Sequence, residues 1–254
     1  MNKKIILITG GTGFIASNFI EELIDKNYSI IATTRKKNLK SSNKNLKYIS
    51  CSFEKINTRI LKKCDYLIHL ASTDTGNFDK EFVNSYETNV INSLKLIEMS
   101  IENGIKKILV CGSCFEYGLT GNKKAKLDIY DNLMPIGYYA ITKASLYLQL
   151  KHFTKSSKTF FNLTYARIFQ AYGFKEKKKR LIPSIIHAAK NNKNIIIKNS
   201  NIKRDFIDVR DVAQGFLRLC KKDFTQLSKS RVINLGSGIT FSMRELLDYV
   251  REIC

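Results

Sequence analysis

The chain has 254 residues, 44% of them hydrophobic, and a formal net charge of +21. That apolar content supplies a full core and excludes an extended disordered chain, while no apolar run is long enough to cross a bilayer. Only "KEKKKR" (175–180) concentrates the positive charge, so solvated lysine faces are expected and nucleic acid is not expected as a partner.

In chain order, "KIILIT" (4–9) reads as a buried strand. Its apolar run is too short for a signal peptide, so a cytoplasmic protein with no membrane partner is expected. A helix is predicted over 13–26, strands over 28–34, 46–50 and 65–71, and a helix over 79–103 that ends at Gly104. "KKILVCG" (106–112) is a fifth strand. A long helix over 138–156 leads into the strand "FFNLTYARI" (160–168). Apolar strands alternating with helices imply an α/β fold, a doubly wound parallel sheet covered on both faces. Residues 1–170 are expected to form this dinucleotide-binding domain. Helix-and-loop material after 173 breaks the alternation, so 171–254 reads mainly as a small substrate lobe interleaved with the end of the sheet.

Between the first strand and helix lies "ITGGTGFIAS" (8–17). A glycine loop there turns backbone N–H groups and a helix N-terminus toward an anion. Gly10 permits the tight turn, Gly13 permits close approach of a pyrophosphate, and Ala16 is small enough for helix–strand packing. Phe14 and Ile15 are expected to turn inward. A dinucleotide is therefore the expected cofactor. At the end of the second strand, "TTRKK" (33–37) carries no carboxylate to accept from ribose hydroxyls. Arg35 can pair with a 2′-phosphate, which favours NADP(H) and leaves NAD(H) possible.

"YYAITK" places Tyr139 and Lys143 one helical turn apart. An ammonium beside a phenol is expected to lower the tyrosine pKa and make it a general acid or base. Ser113, after the fifth strand, can hydrogen-bond the reacting oxygen. Cys111 and Cys114 form a lone C-x-x-C without further ligands nearby, so no metal is expected, and the six cysteines are expected to be reduced thiols.

The stretches "TGGTGFIAS", "LIHLAS", "ETNVINSLKLIE", "GSCFEYG", "YYAITK", "ARIFQAYG", "RDFIDVRDVA" and "NLGSGITFSMREL" follow one another along nearly the whole chain. In that order they resemble the extended short-chain dehydrogenase/reductase family, in its nucleotide-sugar epimerase/dehydratase branch. The resemblance implies a Rossmann domain with a small C-terminal substrate lobe and a nucleotide-diphosphate sugar as substrate. It implies Ser113, Tyr139 and Lys143 as a catalytic triad. It implies Thr9, Gly10, Gly13, Phe14 and Ile15 at the pyrophosphate, Ser52 and Phe53 beside the adenine, and Leu70, Ala71 and Ser72 along the cofactor. Phe169 would meet the nicotinamide carboxamide, Arg204 the substrate diphosphate, and Asn89 would be structural. A homodimer is implied, paired through the helices over 79–103 and 138–156.

Departures narrow the reaction. Cys114-Phe115 replaces the acidic pair of the family's dehydratases, so 4,6-dehydration is not expected. Phe115 and Arg180 stand where 3,5-epimerisation would need a cysteine and a histidine. Gln170 replaces the asparagine usual before "AYG", so contacts to the sugar phosphate are expected to differ. The chain stops at Cys254 inside a helical pattern, so the lobe is expected to be truncated. The expectation is reduction of the C4 ketone of a nucleotide-linked 4-keto-6-deoxyhexose, in surface-polysaccharide synthesis. The alternatives are a 4-epimerase with tightly bound NAD and a non-catalytic dinucleotide-binding protein.

Overall fold

The computed structural model describes residues 3–24, 26–73, 82–197, 199–221 and 230–253. The first residues of the helix expected over 79–103, and Cys254, lie outside them. Among the described residues, β1 (Lys4–Thr9), β2 (Tyr28–Thr34), β3 (Leu46–Ser50), β4 (Tyr66–His69), β5 (Lys107–Ser113), β6 (Asn162–Ile168) and β9 (Ser230–Leu235) form one sheet. Its order is β3-β2-β1-β4-β5-β6-β9, and every pairing is parallel. This is the doubly wound Rossmann-type arrangement, with the order reversing between β1 and β4.

Both faces of the sheet are apolar because successive side chains alternate sides. Ile6, Ile8, Ile68, Leu109 and Ala166 face one core, built with α1 (Phe14–Ile24) and α8 (Val209–Lys221). There Phe19 and Phe216 meet edge to face, 5.5 Å between ring centres. Leu7, Leu67, Ile108, Val110 and Leu163 face the other, under α4 (Ser93–Glu102) and α6 (Tyr138–Ser156). Ahead of α4 lie α3 (Phe82–Tyr86) and a wide π-type turn at Glu87–Asn92.

The predicted strand over 65–71 is shorter in the structure. Beyond His69 the N–H groups of Leu70 and Ala71 both donate to Thr9 Oγ1, 3.0 Å each, instead of extending the ladder. Two features after 168 were not expected in detail. β7 (Gln170–Tyr172), β8 (Lys203–Asp208) and β10 (Thr240–Ser242) make a separate three-stranded sheet, flanked by α7 (Leu181–Lys190) and α9 (Met243–Ile253). Between β8 and β10 the chain returns to the main sheet as β9. No helix of the described residues is long and apolar enough to cross a membrane.

Candidate active site

The strand ends around the β1/β4 reversal carry the residues singled out above, as open α/β sheets place their ligands. After β1 the chain turns at Gly10 with φ +67°, a left-handed value that glycine adopts without strain. A Cβ on Gly10 would stand 3.0 Å from Ala71 Cα, and one on Gly11 only 2.6 Å from Ala32 Cβ. The loop is thus clamped between neighbouring strands, and any side chain there would push it outward. Gly13 is exposed at its tip, and α1 begins directly after it with no acidic residue in its first turn. First-turn N–H groups of a helix lack intrahelical acceptors, so this end is open to an anion. Ala16 is buried, while Phe14 and Ile15 are half-buried, Ile15 packing on the core.

Thr9 is fully buried. It accepts from Leu70 and Ala71 and lies 2.8 Å from His69 Nδ1. His69 Nε2 lies 2.9 Å from Ser93 Oγ, which donates to the Thr88 carbonyl. The chain of donors closes if Thr9 donates to Nδ1 and Nε2–H donates to Ser93. Burial, with Lys143 nearby, holds the His69 pKa down at about 3, in keeping with a neutral ring. Thr9 therefore braces the loop from beneath.

At the end of β2, Arg35 is exposed and has no hydrogen-bond or ion-pair partner among the described residues. Lys36 and Lys37 follow it, also exposed. Ser52 is half-buried before a short 3-10 turn at Phe53–Lys55. The Phe53 ring points into the core against His69, 5.0 Å between centres, so the side chain is committed to packing. Ser72 Oγ donates to Asn89 Oδ1, and Asn89 Nδ2 donates to Thr142 Oγ1 in α6. Asn89, in the π-type turn, thus ties the loop after β4 to the helix of Tyr139 and Lys143.

Ser113 closes β5 and caps a 3-10 turn at Cys114–Tyr117. Its Oγ accepts from the Phe115 N–H at 3.2 Å, which leaves its O–H to donate, here toward the Tyr139 hydroxyl. Tyr139 opens α6 beside it, 8% exposed. Lys143 is buried and donates to the Cys111 carbonyl at 2.9 Å, its Nζ 5.9 Å from the Tyr139 ring centre. The three residues do come together. The expected lowering of the phenol pKa does not appear. Burial pushes Tyr139 up, Cys111, Glu116 and Cys114 add to it, and the Ser113 hydrogen bond alone pulls it down. The reason is burial of the phenol, with the Lys143 ammonium held 5.9 Å from the ring centre on the Cys111 carbonyl. Burial likewise lowers the Lys143 pKa.

Phe169 follows β6, half-buried, its N–H donating to the Leu235 carbonyl. Gln170 starts β7 alongside Phe206 of β8. Arg204 of β8 reaches back over the Phe115 ring at 5.9 Å, close enough to Cys114 to favour its thiolate, although burial still carries that thiol up to about 12. No carboxylate pairs with Arg204 among the described residues. The structure thus brings Arg204 to the triad and leaves Arg35 on the far side of the reversal, beyond the glycine loop.

Sequence reasoning missed the support beneath the triad. Glu116 and Arg167 are fully buried and paired at 2.8 Å. Spacing held half the signal, because Ser113-x-x-Glu116 is a capping box. The partner, 51 residues on, had no local mark.

The family described as NAD dependent epimerase/dehydratase matches residues 6–236. A GDP-6-deoxy-D-talose 4-dehydrogenase of Aggregatibacter actinomycetemcomitans is 27% identical over 253 residues, spanning 98% of this chain and 79% of that enzyme. The solved UDP-N-acetylglucosamine 4-epimerase of Methanobrevibacter ruminantium M1, in complex with UDP-N-acetylmuramic acid, is 27% identical. It superposes with a TM-score of 0.88 over 100% of this chain and 83% of that one. The Bordetella bronchiseptica enzyme WbmG, solved with NAD and UDP, shares the fold at 20% identity, with a TM-score of 0.79 over 98% and 77% of the two chains.

Proposed function

The chain belongs to the NAD-dependent epimerase/dehydratase family, and from that premise we propose that it reduces the C4 ketone of a nucleotide-linked 4-keto-6-deoxyhexose with NADP(H). The observation that carries the reading is the pairing of a protonated, buried phenol with an unpaired Arg35. The glycine cradle fits a dinucleotide, since a Cβ at Gly11 would collide with Ala32 of β2 and one at Gly10 would press on Ala71 after β4, pushing the loop outward. Arg35, free of partners and with no carboxylate among residues 33–37, fits a 2′-phosphate. Bound there, the dinucleotide would supply the hydride.

The chain's own residues then handle the oxygen. Ser113, its lone pair already engaged by the Phe115 N–H, donates its O–H to the C4 oxygen. Tyr139 keeps its proton near neutral pH and delivers it to the same atom as negative charge develops. Lys143 braces the Cys111 carbonyl and places a positive charge under the ring. Arg204, facing the triad without a counter-ion, holds the substrate diphosphate. A 4-dehydrogenase among the relatives supports chemistry at C4 of a 6-deoxyhexose, because that oxidation is the same step run backwards. The second reading is a 4-epimerase that retains NAD, favoured by the likeness to the UDP-N-acetylglucosamine 4-epimerase. A homodimer through α4 and α6 goes with either reading.

The test is NADPH oxidation, followed by absorbance, with a panel of nucleotide-linked 4-keto-6-deoxyhexoses. Oxidation with one of them is the expected result. No oxidation with any, together with C4 inversion of an ordinary nucleotide sugar, would replace the reductase with the epimerase.

A further inference from the structure

We infer that the buried Glu116–Arg167 pair positions Ser113 and Lys143, so that Glu116, Arg167 and Tyr165 are positioning residues of the reaction; this rests on the reductase reading of the triad. Glu116 Oε1 accepts from the Ser113 backbone N–H at 2.8 Å and from Tyr165 Oη at 2.9 Å. The same Tyr165 Oη is 2.8 Å from the Lys143 carbonyl. The phenol has one proton for these two acceptors, so one carboxylate oxygen holds the serine directly and shares the Tyr165 hydrogen with the Lys143 carbonyl.

Arg167 holds the other oxygen. Its Nε donates to Glu116 Oε2, and its Nη1 donates to Tyr117 Oη at 3.0 Å and the Ile129 carbonyl at 3.2 Å. The guanidinium lies between the rings of Tyr117 and Tyr147, 4.9 and 4.3 Å from their centres. Tyr117 in turn donates its O–H to Asn234 Oδ1 of β9 at 2.7 Å. The arrangement joins β5, β6, β9, α6 and the 3-10 turn at one point under the site.

A buried ion pair is weak evidence for stability, because apolar side chains of similar volume often serve as well. Apolar residues could not accept the Ser113 N–H or orient Tyr165. Gly112 adds an independent observation. A Cβ there would fall 2.2 Å from Tyr165 Cε1 and 2.7 Å from Glu116 Oε1. The strand gives up a side chain next to the catalytic serine so that the network can approach.

The test uses two variants, because Glu116→Gln alone strands the Arg167 charge and is expected to destabilise the fold. Tyr165→Phe removes one O–H and keeps the pair. Glu116→Gln/Arg167→Met removes both charges at similar volume. For each, kcat, KM, the Kd for NADPH and the Tm are measured. The surroundings of Tyr139 are also followed from the chemical shift of its ¹³Cζ resonance at neutral pH, assigned by Tyr139→Phe. The groups facing that phenol are Cys111 and Ser113 from β5, Cys114 and Glu116 from the 3-10 turn, and Lys143 from its own helix.

Positioning predicts that kcat falls about tenfold or more in both variants, with KM and Kd within about twofold, and that the Tyr139 ¹³Cζ resonance shifts. In the double variant kcat stays low although Tm recovers. A purely structural role gives the reverse, with kcat following Tm and Tyr139 unmoved, and would overturn the inference. If wild-type protein turns over no 4-keto sugar, the reductase reading falls, while the Tyr139 resonance still decides the positioning role.

Discussion

The two halves of the site are built on opposite principles. Around the glycine loop the chain works by leaving things out: side chains are missing at Gly10, Gly11 and Gly13, and no carboxylate answers Arg35. Around Ser113, Tyr139 and Lys143 it works by filling in: Glu116, Arg167, Tyr165 and Tyr117 are buried and bonded to one another. The first half offers the first-turn N–H groups of α1 and an unpaired cation to a ligand that brings its own charge, the Gly11 and Gly13 N–H groups being held by Thr33 and Gly10. The second holds a proton at one phenol and fixes the groups around it. Binding and chemistry should therefore separate when each half is altered.

The largest expected effect lies in the chemical half. Tyr139→Phe removes the proton donor and should lower kcat by about a hundredfold to ten-thousandfold, with dinucleotide affinity unchanged. An unchanged kcat would mean that another group supplies the proton. In the binding half, Arg35→Ser should leave kcat at saturating cofactor alone and weaken NADPH by about tenfold or more, the worth of a charged hydrogen bond, without affecting NADH. Equal losses for both dinucleotides would show that Arg35 does not read the 2′-phosphate.

Gly10→Ala forces a Cβ to 3.0 Å from the Ala71 backbone at a φ of +67°. It should cost about 1–3 kcal/mol in urea unfolding and weaken both dinucleotides alike. Loss of stability with intact affinity would contradict the clamped cradle.

The last test, spread over several pH units, concerns the buried brace under the glycine loop. His69 titrates at about 3 when folded and near 6.5 when unfolded. Between those values the unfolded chain binds a proton that the folded one refuses. The stability is fully present above pH 6.5 and is lost as pH falls toward 3, by at most about 1.4 kcal/mol per pH unit. His69→Gln should flatten that part of the urea-unfolding profile, and a variant with the wild-type slope would remove His69 from the brace.

The same contrast explains what could be read from the chain. The glycine loop, the free end of β2 and the i, i+4 pair of Tyr139 and Lys143 are local patterns, and local patterns survive in sequence. The strands of the main sheet up to β6 were legible for that reason. β9 was not, because its place beside β6 is set by a long-range pairing across the three-stranded sheet. Arg167 reads as one more residue of a buried strand until Glu116 is placed beside it. The raised Tyr139 pKa was invisible for a related cause: spacing puts Lys143 on the right face, but only the fold reveals how deeply the phenol is buried.

The most direct measurement is a fluorescence titration of the purified protein with NADPH and with NADH, after identifying any nucleotide that co-purifies. The expected result is an empty site that binds NADPH about tenfold more tightly or better, a difference of about 1.4 kcal/mol. Co-purified NAD that resists exchange, or equal affinity for the two, would contradict it and make Arg35 a surface arginine.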